Sequence, residues 1–160
     1  MSIVEVDYFA VPDPDDAERI TYWRMGARGL TSWPPAARYG PRLLKRDVPR
    51  DLHGQAKVEW VHAWYQGTRF TWQAKVFAAI NADQLAAAAR FAVLKTRCCC
   101  CGRVLQEPAS RTLGIGPECR IGLPQEILAA LSEAVGRLHA ASGVGPEPFA
   151  LFAAGDAHVQ

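Results

Sequence analysis

The 160-residue chain has no run of about 18 consecutive apolar residues, so the sequence predicts no transmembrane helix and no membrane partner. Its first residues show no basic stretch followed by an apolar run. This argues against a secretory signal peptide and predicts a cytoplasmic location. With 49% apolar and 21% charged residues, the composition supports a packed core and excludes wholesale disorder.

Signatures of the common enzyme classes are also lacking. There is no Walker motif, no paired-carboxylate constellation and no Ser-His-Asp pattern. A zinc deaminase would need His-x-Glu together with Pro-Cys-x-x-Cys. Here Ala63 and Trp64 follow His62, and no proline precedes the cysteines. We therefore expect the protein not to be an enzyme.

The formal net charge of +2 conceals an uneven distribution of charge. Residues 21–120 contain 16 of the 18 basic residues, whereas residues 1–20 and 121–160 are acidic overall. A basic centre of this kind is typical of proteins that contact a polyanion. The alternative is that the acidic ends fold back and neutralise the basic middle.

The hydrophobic pattern predicts an α+β fold: a small N-terminal β or mixed region, then helices and a treble-clef-like zinc knuckle. Strands are expected at residues 3–11 and 20–25 around an acidic turn, and a long ordered loop at residues 26–49. Residues 56–80 fit two helices joined at Gly67, or alternatively a hairpin turning there. Further helices are predicted at residues 83–94, capped by Asn81 or Asp83, and at residues 125–140.

These elements suggest three parts of the chain. Residues 1–80 form a mixed α/β region with the long loop, residues 81–140 form helix, zinc module and helix, and residues 141–160 form a flexible tail. Trp60, Trp64 and Trp72 are expected in the core, because each tryptophan buries a large apolar area.

Cysteine carries the strongest chemical signal. Cys98 and Cys101 form a C-x-x-C motif followed by Gly102, and Cys119 lies further along, near a predicted helix start. In a cytoplasmic protein, five cysteines indicate metal or thiol chemistry rather than disulfide bonds. Two thiolates from a knuckle and one from a helix N-terminus suit tetrahedral Zn²⁺.

The spacing of the cysteines does not identify the fourth zinc ligand. Cys99 and Cys100 are extra thiols inside the motif, and two adjacent cysteines rarely both bind one ion well. We include Cys100 in the predicted site. The alternatives are Cys99, a carboxylate, water, another chain, or one of the histidines His53, His62 and His139.

This segment resembles a small zinc-binding module of unassigned function that occurs in proteins of high-GC bacteria and their phages. The residues that carry the resemblance are Cys98, Cys101, Gly102, Arg103, Leu105, Ser110, Gly114, Ile115, Gly116, Pro117 and Cys119. With a lead-in helix, the resemblance covers roughly residues 80–122. It implies bound zinc and a phage or mobile-element setting, but no biochemical activity. Some relatives place a histidine just before the first cysteine, where this chain has Leu94 and no histidine.

The segment from Gly114 to Pro117 has two interpretations. We favour a turn that brings Cys119 to the metal. The alternative is an anion site at a helix N-terminus, or the hairpin of a helix–hairpin–helix DNA-binding motif.

Basic side chains near the cysteines and in the long loop are the candidate nucleic-acid contacts. They are Arg97, Arg103, Arg111, Arg120, Arg38, Arg42, Lys45 and Arg46. Arg97 and Arg103 would also offset the thiolate charge. Three aromatic–basic clusters fit contact with single-stranded nucleic acid, or alternatively supply aromatic residues to the core: Tyr22-Trp23-Arg24, Arg38-Tyr39 and Arg69-Phe70-Thr71-Trp72.

The sequence thus predicts a zinc-stabilised protein of phage or mobile-element origin that binds DNA or RNA. The alternative is a non-enzymatic protein-interaction module, a phage factor that modulates a host or defence protein through an acidic partner surface.

Overall fold

The computed structural model describes residues 6–143, which form a small antiparallel sheet followed by helices, so the predicted α+β class is confirmed. The strands are β1 (Tyr8–Asp13), β2 (Asp16–Gly26) and β3 (Gly29–Ser32), and the helices are α1 (Gly54–Trp64), α2 (Phe70–Ala82), α3 (Gln84–Lys95), α4 (Pro108–Leu113), α5 (Pro117–Arg120) and α6 (Gln125–Ser142). A π-helical segment, Tyr65–Arg69, joins α1 to α2, and a short 3₁₀ turn spans Lys45–Asp47.

The sheet has the order β1-β2-β3, with β2 in the centre. β1 and β2 form a hairpin around the predicted acidic turn, and Phe9 lies opposite Trp23. The expected strand at residues 3–11 begins later, at Tyr8, and residues 3–5 lie outside the described residues. The expected loop at residues 26–49 is wrong for residues 29–32, which pair with β2 as β3. Gly29, at a φ of 95°, allows the tight turn between these two strands.

The core lies between the sheet, α2, α3 and α6. Its largest fully buried side chains include Val11 of β1, Val76 and Ile80 of α2, Phe91 of α3 and Leu131 of α6. The small residues Ala87, Ala88, Ala89 and Ala92 are also buried, so α3 approaches its neighbours closely. Removal of this apolar area from water is the main force that holds the sheet on the helices.

Local signals define α3 and α6 as predicted. The Asp83 carboxylate accepts a 2.9 Å hydrogen bond from the Ala86 N–H and caps α3, whereas Asn81 lies within α2. In α6 the predicted apolar stripe includes Leu131 and Val135, which are fully buried. The predicted tail at residues 141–160 begins inside α6, and residues 144–160 lie outside the described residues.

The helical interpretation of residues 56–80 is confirmed, and the alternative hairpin at Gly67 is wrong. Gly67 lies within the π-helical segment, so the backbone stays helical from α1 into α2. Trp72 is buried as predicted, but Trp60 and Trp64 are only half-buried. All of α1 is described, and none of its residues is buried. The helix therefore extends away from the core, and its apolar spacing does not reflect core packing.

Among residues 6–143, no single helix is long and apolar enough to cross a membrane. Helices Gly54–Ala82 and Gln84–Lys95 reach the required length and composition only as a pair, bent by 97° at their junction.

Candidate metal centre

A turn that follows α3 carries the C-x-x-C motif. Thr96, in the left-handed region at a φ of 53°, ends α3, and a backbone bridge between Arg97 and Val104 closes the turn. Inside it, the Gly102 N–H donates a 2.8 Å hydrogen bond to the Cys98 carbonyl. We call residues 97–104 the cysteine turn. Its backbone hydrogen bonds hold Cys98 and Cys101 on one short loop.

Gly102 is required at its position for two reasons. Its φ is 74°, a conformation that residues with a Cβ rarely adopt. A Cβ at this position would lie 2.7 Å from a ring carbon of Tyr8 in β1. The cysteine turn therefore packs directly against the first strand of the sheet.

The Gly114–Pro117 segment, which the sequence analysis interprets as a turn, positions the third cysteine, Cys119. Gly114 ends α4 at a φ of 71°, and Pro117 begins α5, which contains Cys119. The Gly116 N–H donates a hydrogen bond of 3.3 Å to the Cys98 Sγ. This amide is therefore directed at a cysteine sulfur, which supports the interpretation of the segment as a turn for the site.

The cysteine ligand atoms meet at one point. The Sγ atoms of Cys98, Cys101 and Cys119 all lie within 4.8 Å of one another, so the three residues could hold a metal ion. Cys98 is buried, Cys119 is half-buried and Cys101 is exposed. The group borders a cavity of about 180 Å³. Three thiolate donors, with one side open to a cavity, fit a thiophilic ion such as Zn²⁺.

The surroundings of the sulfur atoms favour one preformed thiolate. The S–H of Cys100, with additional help from the backbone N–H of Gly116, lowers the pKa of Cys98 to about 4. Burial and the nearby Cys98 raise the pKa of Cys119 to about 12. The pKa of Cys100 is raised because its proton is held by Cys98 and Cys99. A bound cation would replace protons on the remaining ligands, so metal binding would release protons.

The two extra cysteines lie outside the group of three. The Cys99 side chain is fully buried, and its carbonyl accepts hydrogen bonds from the backbone N–H groups of Asp7 (3.0 Å) and Tyr8 (2.9 Å). Cys100 is half-buried against the core. Across residues 6–143, no histidine, carboxylate or further cysteine joins Cys98, Cys101 and Cys119, so the fourth ligand stays open.

The predicted basic contacts beside the cysteines all have partners within the chain. Arg103 forms a 3.0 Å ion pair with Glu118, and Arg120 forms one of 3.6 Å with Glu107. The Arg97 guanidinium donates to the Gly102 carbonyl. Arg111 likewise donates to the carbonyl of Leu105. Arg97 and Arg111 therefore stabilise the backbone, whereas the charges of Arg103 and Arg120 are neutralised by glutamates, which leaves less positive charge here than the sequence suggests.

The predicted loop contacts lie in a separate region. Arg38, Arg42, Lys45 and Arg46 are all exposed, and Arg46 lies 4.0 Å from the Asp47 carboxylate. Arg38 and Arg42 border a cavity of about 310 Å³ together with Arg69 of the π-helical segment. Arg69 is not one of the eight predicted basic contacts, but it belongs to an aromatic–basic cluster for which the sequence suggests contact with single-stranded nucleic acid. Only the fold brings it to the loop, because its guanidinium donates to the carbonyls of Tyr39 and Pro41.

The fold and site define an α+β protein with a three-cysteine group suited to a metal ion. Residues 88–123, which contain this group, match the family described as a family of unknown function, DUF6011. The matched residues lie almost entirely within residues 80–122, the segment whose sequence resembles the small zinc-binding module, and they do not include the sheet, α1 or α2. Neither the curated proteins nor the solved structures contain a match to the chain.

Proposed function

We propose that the protein is a non-enzymatic, zinc-stabilised nucleic-acid-binding protein. In this proposal Cys98, Cys101 and Cys119 hold Zn²⁺, and the ion ties the cysteine turn to α5. Such a link contributes directly to folding, because the ligands are brought together only in the native chain. The phage or mobile-element setting is proposed from the sequence resemblance alone.

The observation that carries nucleic-acid binding is the cluster of arginines where the loop meets the π-helical segment. Arg38, Arg42 and Arg69 border one cavity, and none of its lining residues, all in the described part of the chain, is a carboxylate. Near the metal centre, Arg103 and Arg120 instead pair with Glu118 and Glu107. The arginines of the loop-side cavity thus have no carboxylate beside them, whereas two of the four predicted arginine contacts near the cysteines are ion-paired.

The experiment is a titration of short fluorescent DNA and RNA by anisotropy over a series of salt concentrations. Phosphate contacts release counterions, so the logarithm of affinity should fall linearly with the logarithm of salt concentration. The variants compared are Arg42→Gln in the loop and Arg137→Gln in α6, which remove one exposed positive charge each; Arg137 is ion-paired with Glu133 at 2.7 Å, whereas Arg42 borders a cavity without a carboxylate. Only Arg42→Gln should reduce the slope. Binding that is absent, or independent of salt, would contradict the proposal.

A second candidate function, protein interaction, is favoured by the exposed face of α1. A groove of about 570 Å³ is lined by Val58, Val61, Tyr65 and Phe70 with Lys57 and His62, and no acidic residue lines it. This combination fits an acidic partner protein that carries an apolar segment. Crosslinking followed by peptide mapping should then place a partner on α1, and Val61→Asp should abolish its capture. A purification that returns only nucleic acid would contradict this candidate.

A further inference from the structure

The arginine cavity and the apolar groove of α1 are neighbouring parts of one surface. Tyr65 lines both of them, because it stands at the start of the π-helical segment between α1 and α2. We infer that this surface binds single-stranded nucleic acid, with a backbone phosphate at Arg38, Arg42 and Arg69 and unpaired bases on Tyr65 and Phe70. The inference rests on the proposed function and specifies its ligand class.

Contacts within the protein hold the arginine side of the surface in place. The Arg69 guanidinium lies 5.2 Å from the centre of the Trp72 ring, and its bonds to the Tyr39 and Pro41 carbonyls fix the loop over α2. The Arg42 side chain donates to the Arg38 carbonyl at 3.1 Å. A guanidinium has five N–H donors, so each of these groups keeps donors for an oxyanion.

The electrostatics of this cluster also favour an anion. Burial lowers the pKa of Arg69, and the like charge of Arg42 lowers it further. The charges of Arg42 and Arg69 therefore repel each other across the cavity. A phosphate between them would relieve that repulsion and accept hydrogen bonds from both sides.

The aromatic side offers rings to solvent. Tyr65 is 39% exposed and Phe70 is 47% exposed. Their ring centres lie 6.0 Å apart with the planes tilted by 40°. A π-helical segment is an uncommon local structure that often occurs at functional sites, and here it places Tyr65 beside Arg69. Exposed rings next to arginines are the pattern by which proteins stack bases while holding the backbone.

The combination of exposed rings and arginines indicates whether the surface binds single-stranded or double-stranded nucleic acid. In a duplex the faces of the bases are covered by their neighbours in the stack, so Tyr65 and Phe70 could contact only the outside of the helix. An unpaired strand can present a base face and an adjacent phosphate together. The surface should therefore prefer single strands to duplexes of the same sequence.

The test uses the full chain and a fluorescent oligothymidine of about 15 nucleotides, compared with its duplex with oligoadenosine. We expect the wild type to bind the single strand more tightly. Tyr65→Leu should weaken that binding about tenfold, whereas Tyr65→Phe should retain it because the ring remains. Arg42→Gln should reduce the salt slope by about 0.7, whereas Arg137→Gln should not.

Circular dichroism and metal content should match the wild type in all four variants, which separates lost contacts from lost folding. Equal affinity for single strand and duplex, with Tyr65→Leu binding as tightly as the wild type, would overturn this inference. The proposed function would still stand if Arg42→Gln reduced the salt slope. No binding of any nucleic acid by the wild type would overturn the proposed function itself. Capture of a protein that depends on Tyr65, without nucleic-acid binding, would favour the interaction module instead.

Discussion

The indole Nε1 of Trp72 donates a 3.0 Å hydrogen bond to the Asp13 carboxylate, which is almost completely buried. The same Oδ1 atom accepts a 2.9 Å hydrogen bond from the Asp15 N–H. One carboxylate thus connects the β1–β2 turn to α2, the helix whose Trp72 ring lies against the Arg69 guanidinium. The acidic turn in the sequence therefore has a structural role that its composition alone does not indicate.

Replacement of Asp13 by Ala should destabilise the protein by about 1–3 kcal/mol, because it leaves the buried indole N–H without a partner. Asp13→Asn should cost less, since an amide oxygen can accept both hydrogen bonds. Asp16→Ala is the matched control: Asp16 is exposed and accepts only a local bond from the Glu18 N–H. Urea unfolding followed by tryptophan fluorescence gives the three free energies. Equal losses for Asp13→Ala and Asp16→Ala would contradict this role.

Gly102 and Gly136 should respond to alanine in opposite directions. At Gly102, alanine would be strained by the positive φ and would meet the Tyr8 ring, so a loss of about 1–3 kcal/mol is expected. Gly136 lies inside α6 with nothing within 4 Å of an added Cβ, so alanine should stabilise by about 0.5–1 kcal/mol. Both free energies of unfolding are measured with zinc present. A Gly102→Ala protein as stable as the wild type would show that the turn is not held against β1.

Elements with local signals were predictable from the sequence. The cap at Asp83, the stripe through Leu131 and Val135 and the spacing of the cysteines each depend on residues close in the chain. Their outcomes in the structure agree with the predictions, and the three cysteines do meet.

Features that depend on distant partners were not predictable. Apolar spacing in α1 indicates a helix but cannot show whether another element covers it, so Trp60 and Trp64 were wrongly assigned to the core. The ion pair of Arg103 with Glu118 and the contact of Arg69 with the loop join residues 15 and 30 positions apart. The charge summed over a sequence segment cannot show which arginines form ion pairs and which donate to backbone carbonyls.

Metal content should follow the group of three cysteines. The purified protein should contain one zinc per chain, and Cys101→Ser should lose it, because the change removes one of the three thiolate ligands. Cys101 is exposed, so its replacement leaves the apolar core unchanged. Cys100→Ser should retain the metal, since Cys100 lies outside the group. Mass spectrometry of the metals, with circular dichroism on the same samples, checks both. Loss of zinc from Cys100→Ser would instead assign Cys100 as the fourth ligand.

The ion pair beside the metal centre gives a prediction for binding. The Arg103 and Glu118 side chains are 75% and 81% exposed, so their 3.0 Å pair contributes little to stability, about 0–1 kcal/mol, yet it cancels the local charge.

Arg103→Gln should therefore reduce nucleic-acid affinity less than Arg42→Gln, and Glu118→Gln should raise it, because the Arg103 guanidinium is then uncompensated. Anisotropy titrations at one low salt concentration compare the three variants, since screening weakens such effects at high salt. If Arg103→Gln weakened binding as much as Arg42→Gln, the polyanion would have to contact the cysteine turn. Arg103 would then exchange Glu118 for a phosphate on binding, and the loop arginines would no longer suffice as the interface.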